Sequence, residues 1–408
     1  MGAAIRKWVL KMKICFWIGR AYYRQAGTNR ITCTIANELA KNHDVSILVT
    51  TDGVQKNVFE YDESIKIEKL KAANFVYRQP KKSFSGFINA CIRAVNNKTG
   101  FFNHPKRYRI LEKALYPTKY KTSLENFFQE KDYDIIVATA SEMLWLATLS
   151  ECINEKTKLF GWQHNDYQSY VSRKNILFWQ KEELLKKYIP MLDQLVVLNP
   201  YDKEAYLKNL GLDVEYIGNP LTIQFERKAN QNNKQFLFVG RLSDQKGIDF
   251  LIESFSIFAE HNDDWTAVIV GDGNANYRNS LIKQTWVKKV QDRIRFVGFT
   301  TDVLKYYLES SIYLMTSRYE GWGLVVTEAM HMGLPVIAFD ITPMAYIIDH
   351  DENGIIVNKF DTKKFANAMI ELANDYEKRV ELSTAAIKKS EQFSLEVTIQ
   401  KWEVLFHS

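Results

Sequence analysis

Two doubly wound parallel α/β sheets in series are what this sequence predicts, and three observations predict them. At 408 residues and 46% hydrophobic, the chain is too long for one ordinary core and long enough for two of roughly 200 residues each. Short apolar runs bounded by turn residues alternate with helical patterns, the order that produces parallel strands joined by crossover helices. The alternation stops at Asn219-Pro220 and a polar run over 229–235, then restarts at Phe236 as a new first strand. Two Rossmann-like domains facing across a cleft are expected, with ligands beyond the carboxyl ends of the strands.

In the first domain, 12–220, strands are expected at 14–18, 45–49, 135–138, 158–162 and 194–198, with a helix over 31–41 linking the first two. A segment near 75–124 interrupts the order as a long, mostly helical insertion. The second domain, 221–392, reads strand 236–239, helix 247–260, strand 267–270, helix 277–288, strand 294–297, helix 303–308, strand 312–315, helix 324–331 and strand 336–338, with helices from there to the end. The tail, 393–408, carries an amphipathic helix over 395–406 that can cross back to the first domain.

Charged residues make up 25% of the chain and glycine and proline are few, which excludes a disordered or fibrous protein. Cys15, Cys33, Cys91 and Cys152 show no CxxC or metal-ligand spacing and read as unpaired thiols of a cytoplasmic protein. Arg6, Lys7 and Lys11 surround an apolar stretch too broken for a signal peptide and too short to span a bilayer. It reads either as a leader before a folded unit starting at Met12 or as a weak surface anchor. The net charge of +6 is uneven: eleven basic residues fall between 75 and 124, from Arg78, Lys81 and Lys82 to Lys121, against one acid, Glu112. Phe84, Phe87, Phe101, Phe102, Tyr108, Tyr116 and Tyr120 are interleaved with them. Such a segment suits an anionic membrane surface, at about 1 kcal/mol per basic residue, or is a plain solvated face. No nucleic-acid motif accompanies the charge.

The most informative stretch is 318–336, where a strand leads through a turn carrying Glu320, Gly321 and Gly323 into a helix. A helix N-terminus offers unpaired N–H groups and partial positive charge to a phosphate, and the glycines let a diphosphate approach the backbone. Glu320 and Glu328 are eight positions apart, at most about 12 Å of helix rise, so two carboxylates can hold hydroxyls on either side of a diphosphate. The plainer alternative is an ordinary helix with an acidic first turn. A second stretch, 238–248, runs from a strand into a loop with Arg241 and Lys246. Each alone reads as a surface cation; together at a strand mouth they can neutralise a diphosphate leaving group.

These two stretches resemble the family-4 retaining glycosyltransferases of the GT-B fold, the type found in bacterial glycan and polysaccharide biosynthesis, whose donor site pairs a GR…KG loop with a Glu, seven residues, Glu motif. The resemblance runs from Lys13-Ile14-Cys15-Phe16-Trp17 through Asn219-Pro220-Leu221 to the final helix. It implies that Arg241 and Lys246 bind the diphosphate of a nucleotide-sugar donor, that Glu320 contacts the transferred sugar and that Glu328 holds the ribose hydroxyls. It further implies that the backbone of Gly321, Trp322, Gly323, Leu324 and Val325 holds phosphate oxygens and that Phe299, in the Val297-Gly298-Phe299 turn, meets the base. Where relatives carry paired glycines after the first strand, this chain has Ala26-Gly27-Thr28-Asn29-Arg30. Gly27 still permits backbone approach to the donor, while Ala26 stiffens the loop. His164, after a strand, matches a histidine near the acceptor, with Asp166 as a neighbour able to orient it; the alternative is a structural histidine.

Asp132-Tyr133-Asp134 imitates a metal-binding DxD, but it precedes a strand instead of following one. With no other metal spacing, the donor is expected to bind without a metal and the enzyme to need no cofactor. Neither half has the GxGxxG turn of a nicotinamide dehydrogenase. The activity implied is transfer of a hexosyl group, with retention, from a UDP-hexose to a hydroxyl of a glycan or lipid-linked acceptor, at the inner face of the cell membrane in envelope polysaccharide synthesis. The alternative is a catalytically silent subunit of the same fold that binds a partner enzyme, which would have no need for Arg241, Lys246, Glu320 and Glu328 together.

Overall fold

The computed structural model describes residues 10–19, 22, 27–50, 58–70, 84–174, 177–223 and 225–408. Arg6, Lys7, Ala26, Arg78, Lys81 and Lys82 lie outside them. The chain divides into two compact units, Met1–Gly218 with Thr398–Ser408, and Asn219–Val397.

The first unit runs β1 (Lys13–Trp17), α1 (Gly27–Leu39), β2 (Asp44–Val49), β3 (Lys66–Lys69), α2 (Phe84–Thr99), α3 (Tyr108–Leu115), α4 (Thr118–Gln129), β4 (Ile135–Thr139), α5 (Glu142–Thr148), β5 (Lys158–Trp162), α6 (Glu182–Tyr188), β6 (Gln194–Val197), α7 (Pro200–Leu210) and β7 (Glu215–Tyr216). Its strands are all parallel, in the order β3-β2-β1-β4-β5-β6-β7. Helices cover both faces of such a sheet, so the central strands are continuous apolar runs; Ile14, Cys15, Phe16 and Trp17 are fully buried. Helix α7 shows how local sequence sets an end: Pro200 opens it and the Asn199 side chain accepts from Asp202 N.

The second unit runs β8 (Gln235–Val239), α8 (Ile248–Ala259), β9 (Thr266–Val270), α9 (Ala275–Val287), β10 (Ile294–Gly298), α10 (Leu304–Leu308), β11 (Ile312–Met315), α11 (Leu324–His331), β12 (Val336–Phe339), α12 (Met344–Ile347), β13 (Gly354–Val357), α13 (Thr362–Asn374), α14 (Tyr376–Ser390) and the start of α15 (Leu395–His407). This sheet is parallel too, in the order β10-β9-β8-β11-β12-β13. The strands expected from sequence are present within about a residue at each end. Three others are new. β3 and β7 are edge strands of sequence KIEK and EY, too polar and short to register as apolar runs. β13 corrects the expectation of helices alone after 338: its four residues, GIIV, pair with β12, and periodicity cannot distinguish so short an apolar run from a buried helix segment.

Thr398–Ser408 belongs to the first unit. Trp402 is fully buried, its ring 5.1 Å from that of Trp162, and the Phe406 ring lies 5.6 Å from Phe160. Met12 N donates to His43 Nδ1 at 3.2 Å, leaving Nε2–H to meet Glu403 Oε1 at 2.8 Å. Among the described residues no helix is long and apolar enough to cross a membrane. Trp402→Ala should destabilise the first unit by about 3–5 kcal/mol, as expected for emptying a buried tryptophan site. A urea titration should show that loss as an earlier transition, while an unchanged midpoint would mean that α15 is not part of this core.

Candidate active site

In the second unit the chain proceeds outward from β8 to β10, then returns to the other side of β8 with β11. The crossovers after β8 and β11 therefore leave in opposite directions, and the loops following these strands open a crevice at the sheet's carboxyl edge. Arg241 and Lys246 are on the first loop and Glu320 is on the second. The motifs are 74 residues apart along the chain, yet the sheet order makes them neighbours: Lys246 Nζ lies 2.6 Å from Glu320 Oε1. Ser317 Oγ donates to the same oxygen at 2.7 Å. Both charged side chains are mostly buried, at 17% and 9% exposure, so the pair is held more firmly than a surface bridge.

Two further features fasten the loops together. Gly247 has φ +62°, and a Cβ there would run into the carbonyl oxygen of Thr316, so only glycine lets the first loop lie against the second. Arg318 N donates to Gln245 O at 2.8 Å, and its guanidinium forks onto Asp249 Oδ1 and Oδ2 at 2.9 and 2.7 Å while also donating to Asp244 O at 2.6 Å. The hydrogen-bonded Asp249 carboxylate raises the Arg318 pKa above its usual value. The guanidinium also sits 4.3 Å over the Phe250 ring. Sequence reasoning assigned Arg318 no role; its partner, Asp249, is 69 positions away. Arg241, by contrast, is exposed, and no ion pair holds it among the described residues.

Glu328 is on α11 and is 4% exposed. Its Oε1 accepts from Thr222 Oγ1 at 2.7 Å and its Oε2 from Tyr307 OH at 3.1 Å. Gly323, φ +93°, precedes α11, and Gly321 and Trp322 are buried beside it, with Leu324 and Val325 half-buried in the first turn. Trp322 packs edge-on against Phe393 at 5.3 Å, and its buried Nε1 has no hydrogen-bond partner. Phe299 is 61% exposed and follows β10, which β9 and β8 separate from β11. At about 4.8 Å per strand the end of β10 is roughly 10 Å from that of β8, which leads to Lys246, and roughly 14 Å from that of β11, which leads to Glu320.

The first unit has the same construction, with its reversal between β1 and β4. The turn after β1 is made by Gly19, φ +50°, and the Glu142 carboxylate fills the space a Cβ would take. Sequence reasoning centred this region on Gly27, which is the first residue of α1; a single glycine directly after an apolar strand was the available signal for Gly19. His164 follows β5, its ring 4.3 Å from that of Trp162. The residue is half-buried, but Nε2 is closed to solvent and has no hydrogen-bond partner. Burial pushes its pKa down to about 3, so the ring is neutral at neutral pH. Asp166 turns its carboxylate to Ser169, accepting from N at 2.6 Å and Oγ at 2.8 Å. Asp132 and Asp134 bind Lys13 Nζ and Lys13 N, at the amino edge of the sheet. Among the described residues no three His, Cys, Asp or Glu side chains gather as a metal-ligand group.

Residues 221–389 match the family Glycosyl transferases group 1. Over 383 residues the chain is 27% identical to an uncharacterized glycosyltransferase of Haemophilus influenzae, covering 92% of this chain and 95% of that one. It is 29% identical over 221 residues to the amylovoran biosynthesis glycosyltransferase AmsD of Erwinia amylovora, covering 52% of this chain and 61% of AmsD. Anabaena Alr3699/HepE, crystallised in complex with UDP, superimposes with a TM-score of 0.70 at 18% identity over 97% of this chain and all of that one. The fold is GT-B. The family match and the relatives support a glycosyltransferase of this fold. Within the GT-B chain the matched stretch contains Arg241, Lys246, Phe299 and all of 320–328, while Gly27 and His164 lie outside it.

Arg318→Ala should destabilise the protein by roughly 1–2 kcal/mol in a denaturant titration, because it leaves the Asp249 carboxylate without its forked partner. Arg318→Lys should recover less than half of that, since an ammonium cannot fork. For His164, the folded pKa of about 3 lies below the roughly 6.5 of an unfolded histidine. The unfolded chain therefore takes up the proton first, and this contribution to stability is lost as the pH falls below about 6.5. Melting temperatures of wild type and His164→Gln should accordingly converge between pH 7 and pH 5; a constant gap would mean that the ring is hydrated.

Proposed function

We propose that this protein is a metal-independent, retaining family-4 hexosyltransferase. It moves a hexosyl group from a UDP-hexose to a hydroxyl of a glycan or lipid-linked acceptor, at the cytoplasmic face of the cell membrane in envelope polysaccharide synthesis. The observation that carries the proposal is the Lys246–Glu320 pair across the β8/β11 reversal, with Arg241 exposed on the same loop as Lys246 and in no ion pair among the described residues. When the bond from the anomeric carbon to the diphosphate breaks, negative charge grows on the departing oxygens. Arg241, Lys246 and the backbone N–H groups of Gly323, Leu324 and Val325 are the groups to receive it; Lys246, held by Glu320, and the backbone donors are preorganised and need no rearrangement at that moment. Glu320, tied to Lys246 and Ser317, would accept from sugar hydroxyls, and Glu328 from those of the ribose. His164, neutral because buried, belongs to the acceptor side and can exchange hydrogen bonds there without carrying charge.

UDP is suggested by HepE, which was crystallised with it, and polysaccharide synthesis by the amylovoran relative. Retention comes from the resemblance of the motifs to family-4 enzymes and not from a distance.

The deciding experiment is thermal stabilisation by UDP, GDP and ADP in EDTA, with wild type and Glu328→Ala. A nucleotide at 100 times its dissociation constant contributes about 2.7 kcal/mol, a shift of several degrees. Stabilisation by UDP alone, absent in Glu328→Ala, is expected; equal shifts with all three would overturn the base assignment, and no shift would overturn the donor site. Arg241→Ala should lower turnover by about 10²–10³-fold, or roughly 3–4 kcal/mol, and near-normal turnover would remove Arg241 from the mechanism.

A further inference from the structure

Helix α2 is built inside out. Phe84 is 83% exposed, Phe87 57%, Ile88 41% and Val95 45%, and Cys91 is exposed between them. Positions 84, 87, 88, 91 and 95 follow the i, i+3, i+4, i+7, i+11 spacing of a single helix face. An ordinary surface helix turns such a stripe to the core; this one turns Asn96 and Arg93 inward, with the half-buried Ile92 packed against the core. Asn96, fully buried, donates to Gln180 O at 2.7 Å and accepts from Phe102 N at 3.0 Å, and Arg93 Nη1 donates to Ala114 O at 2.8 Å. These bonds set the rotation of α2 about its axis, so its apolar face is held in solvent. A contiguous exposed apolar face of this kind marks an interaction surface.

The neighbouring elements supply the charge. Lys106, Arg109 and Lys113 are exposed along and just before α3 with Ile110 beside them, and Phe101, between the helices, carries the Arg107 guanidinium 4.0 Å over its ring. Helix α2 contains no acid, and Glu112 on α3 is occupied by Lys187 at 2.9 Å. A second copy of the same face would bring these cations against one another, whereas an anionic bilayer offers phosphates to the cations and a hydrocarbon boundary to the aromatic rings. The helix has 16 residues, about 24 Å long, which is short of the roughly 30 Å hydrocarbon core.

We propose that the outward face of α2 lies in the interface of an anionic lipid bilayer, with the cations of α3 on the headgroup phosphates. This rests on the membrane placement proposed above and not on the donor chemistry. Co-sedimentation of the full chain with vesicles of phosphatidylcholine, with and without phosphatidylglycerol, tests it. Wild type should sediment with the anionic vesicles only. The triple variant Phe84→Ser, Phe87→Ser, Ile88→Ser should remain in the supernatant, and Lys106→Gln with Arg109→Gln should bind about 30-fold more weakly at low salt. Both variants should keep the wild-type melting temperature and its shift with UDP, since the substituted side chains are exposed. The surface is overturned if wild type binds no vesicle, or if the triple variant binds as well as wild type. It is also overturned if wild type sediments alone as a dimer that the triple variant dissolves, which would make a second copy the occupant. A UDP shift retained alongside absent vesicle binding would overturn this surface and leave the donor site standing.

Discussion

The ion pair between Lys246 and Glu320 is the contact on which the rest of the second unit's crevice depends. It joins loops that follow β8 and β11, adjacent strands whose crossovers leave in opposite directions. A cation drawn between two loops makes their spacing a matter of electrostatics, and in a mostly buried setting that attraction is poorly screened. The pair would be unstable if the loops drifted, which explains the additional ties: the missing Cβ at Gly247 and the forked Arg318–Asp249 bridge. Charge, backbone shape and hydrogen bonding all bring the same two loops together.

Much of this was legible in the sequence, and the parts that were not share a physical cause. Strands such as 158–162 and helix 324–331 were readable because a buried parallel strand is apolar throughout and a helix opening after glycines has a distinct start. Lys246 and Glu320 could be singled out because residue type and spacing marked both loops, and the strand order does bring the two together. Arg318 was not, because its meaning lies in Asp249, which only the strand order brings near. Gly19 could have been marked by its place directly after an apolar strand, but its positive φ shows only in the structure. The edge strands β3 and β7 were invisible because little of them is buried.

Helix α2 shows a different limit. Its periodicity is plain in the sequence, but periodicity states that a helix has an apolar side without stating which way that side faces. Here the direction is decided by Asn96 and Arg93, two polar side chains that anchor to backbone carbonyls of other segments. Composition alone could say that the insertion is basic and aromatic; only the placement of those two anchors turns the rings outward.

The return of Thr398–Ser408 to the first unit has a consequence for how the protein is made. Domains generally fold in the order they leave the ribosome, at about 5–20 residues per second, but here the first unit is interrupted by the whole of the second. Roughly 180 residues, or about 9–36 s of synthesis, separate Gly218 from the segment carrying Trp402. Throughout that interval the site for Trp402 beside Trp162 stands open, so the half that begins first is completed last. The nascent first unit would therefore be the natural client of a chaperone.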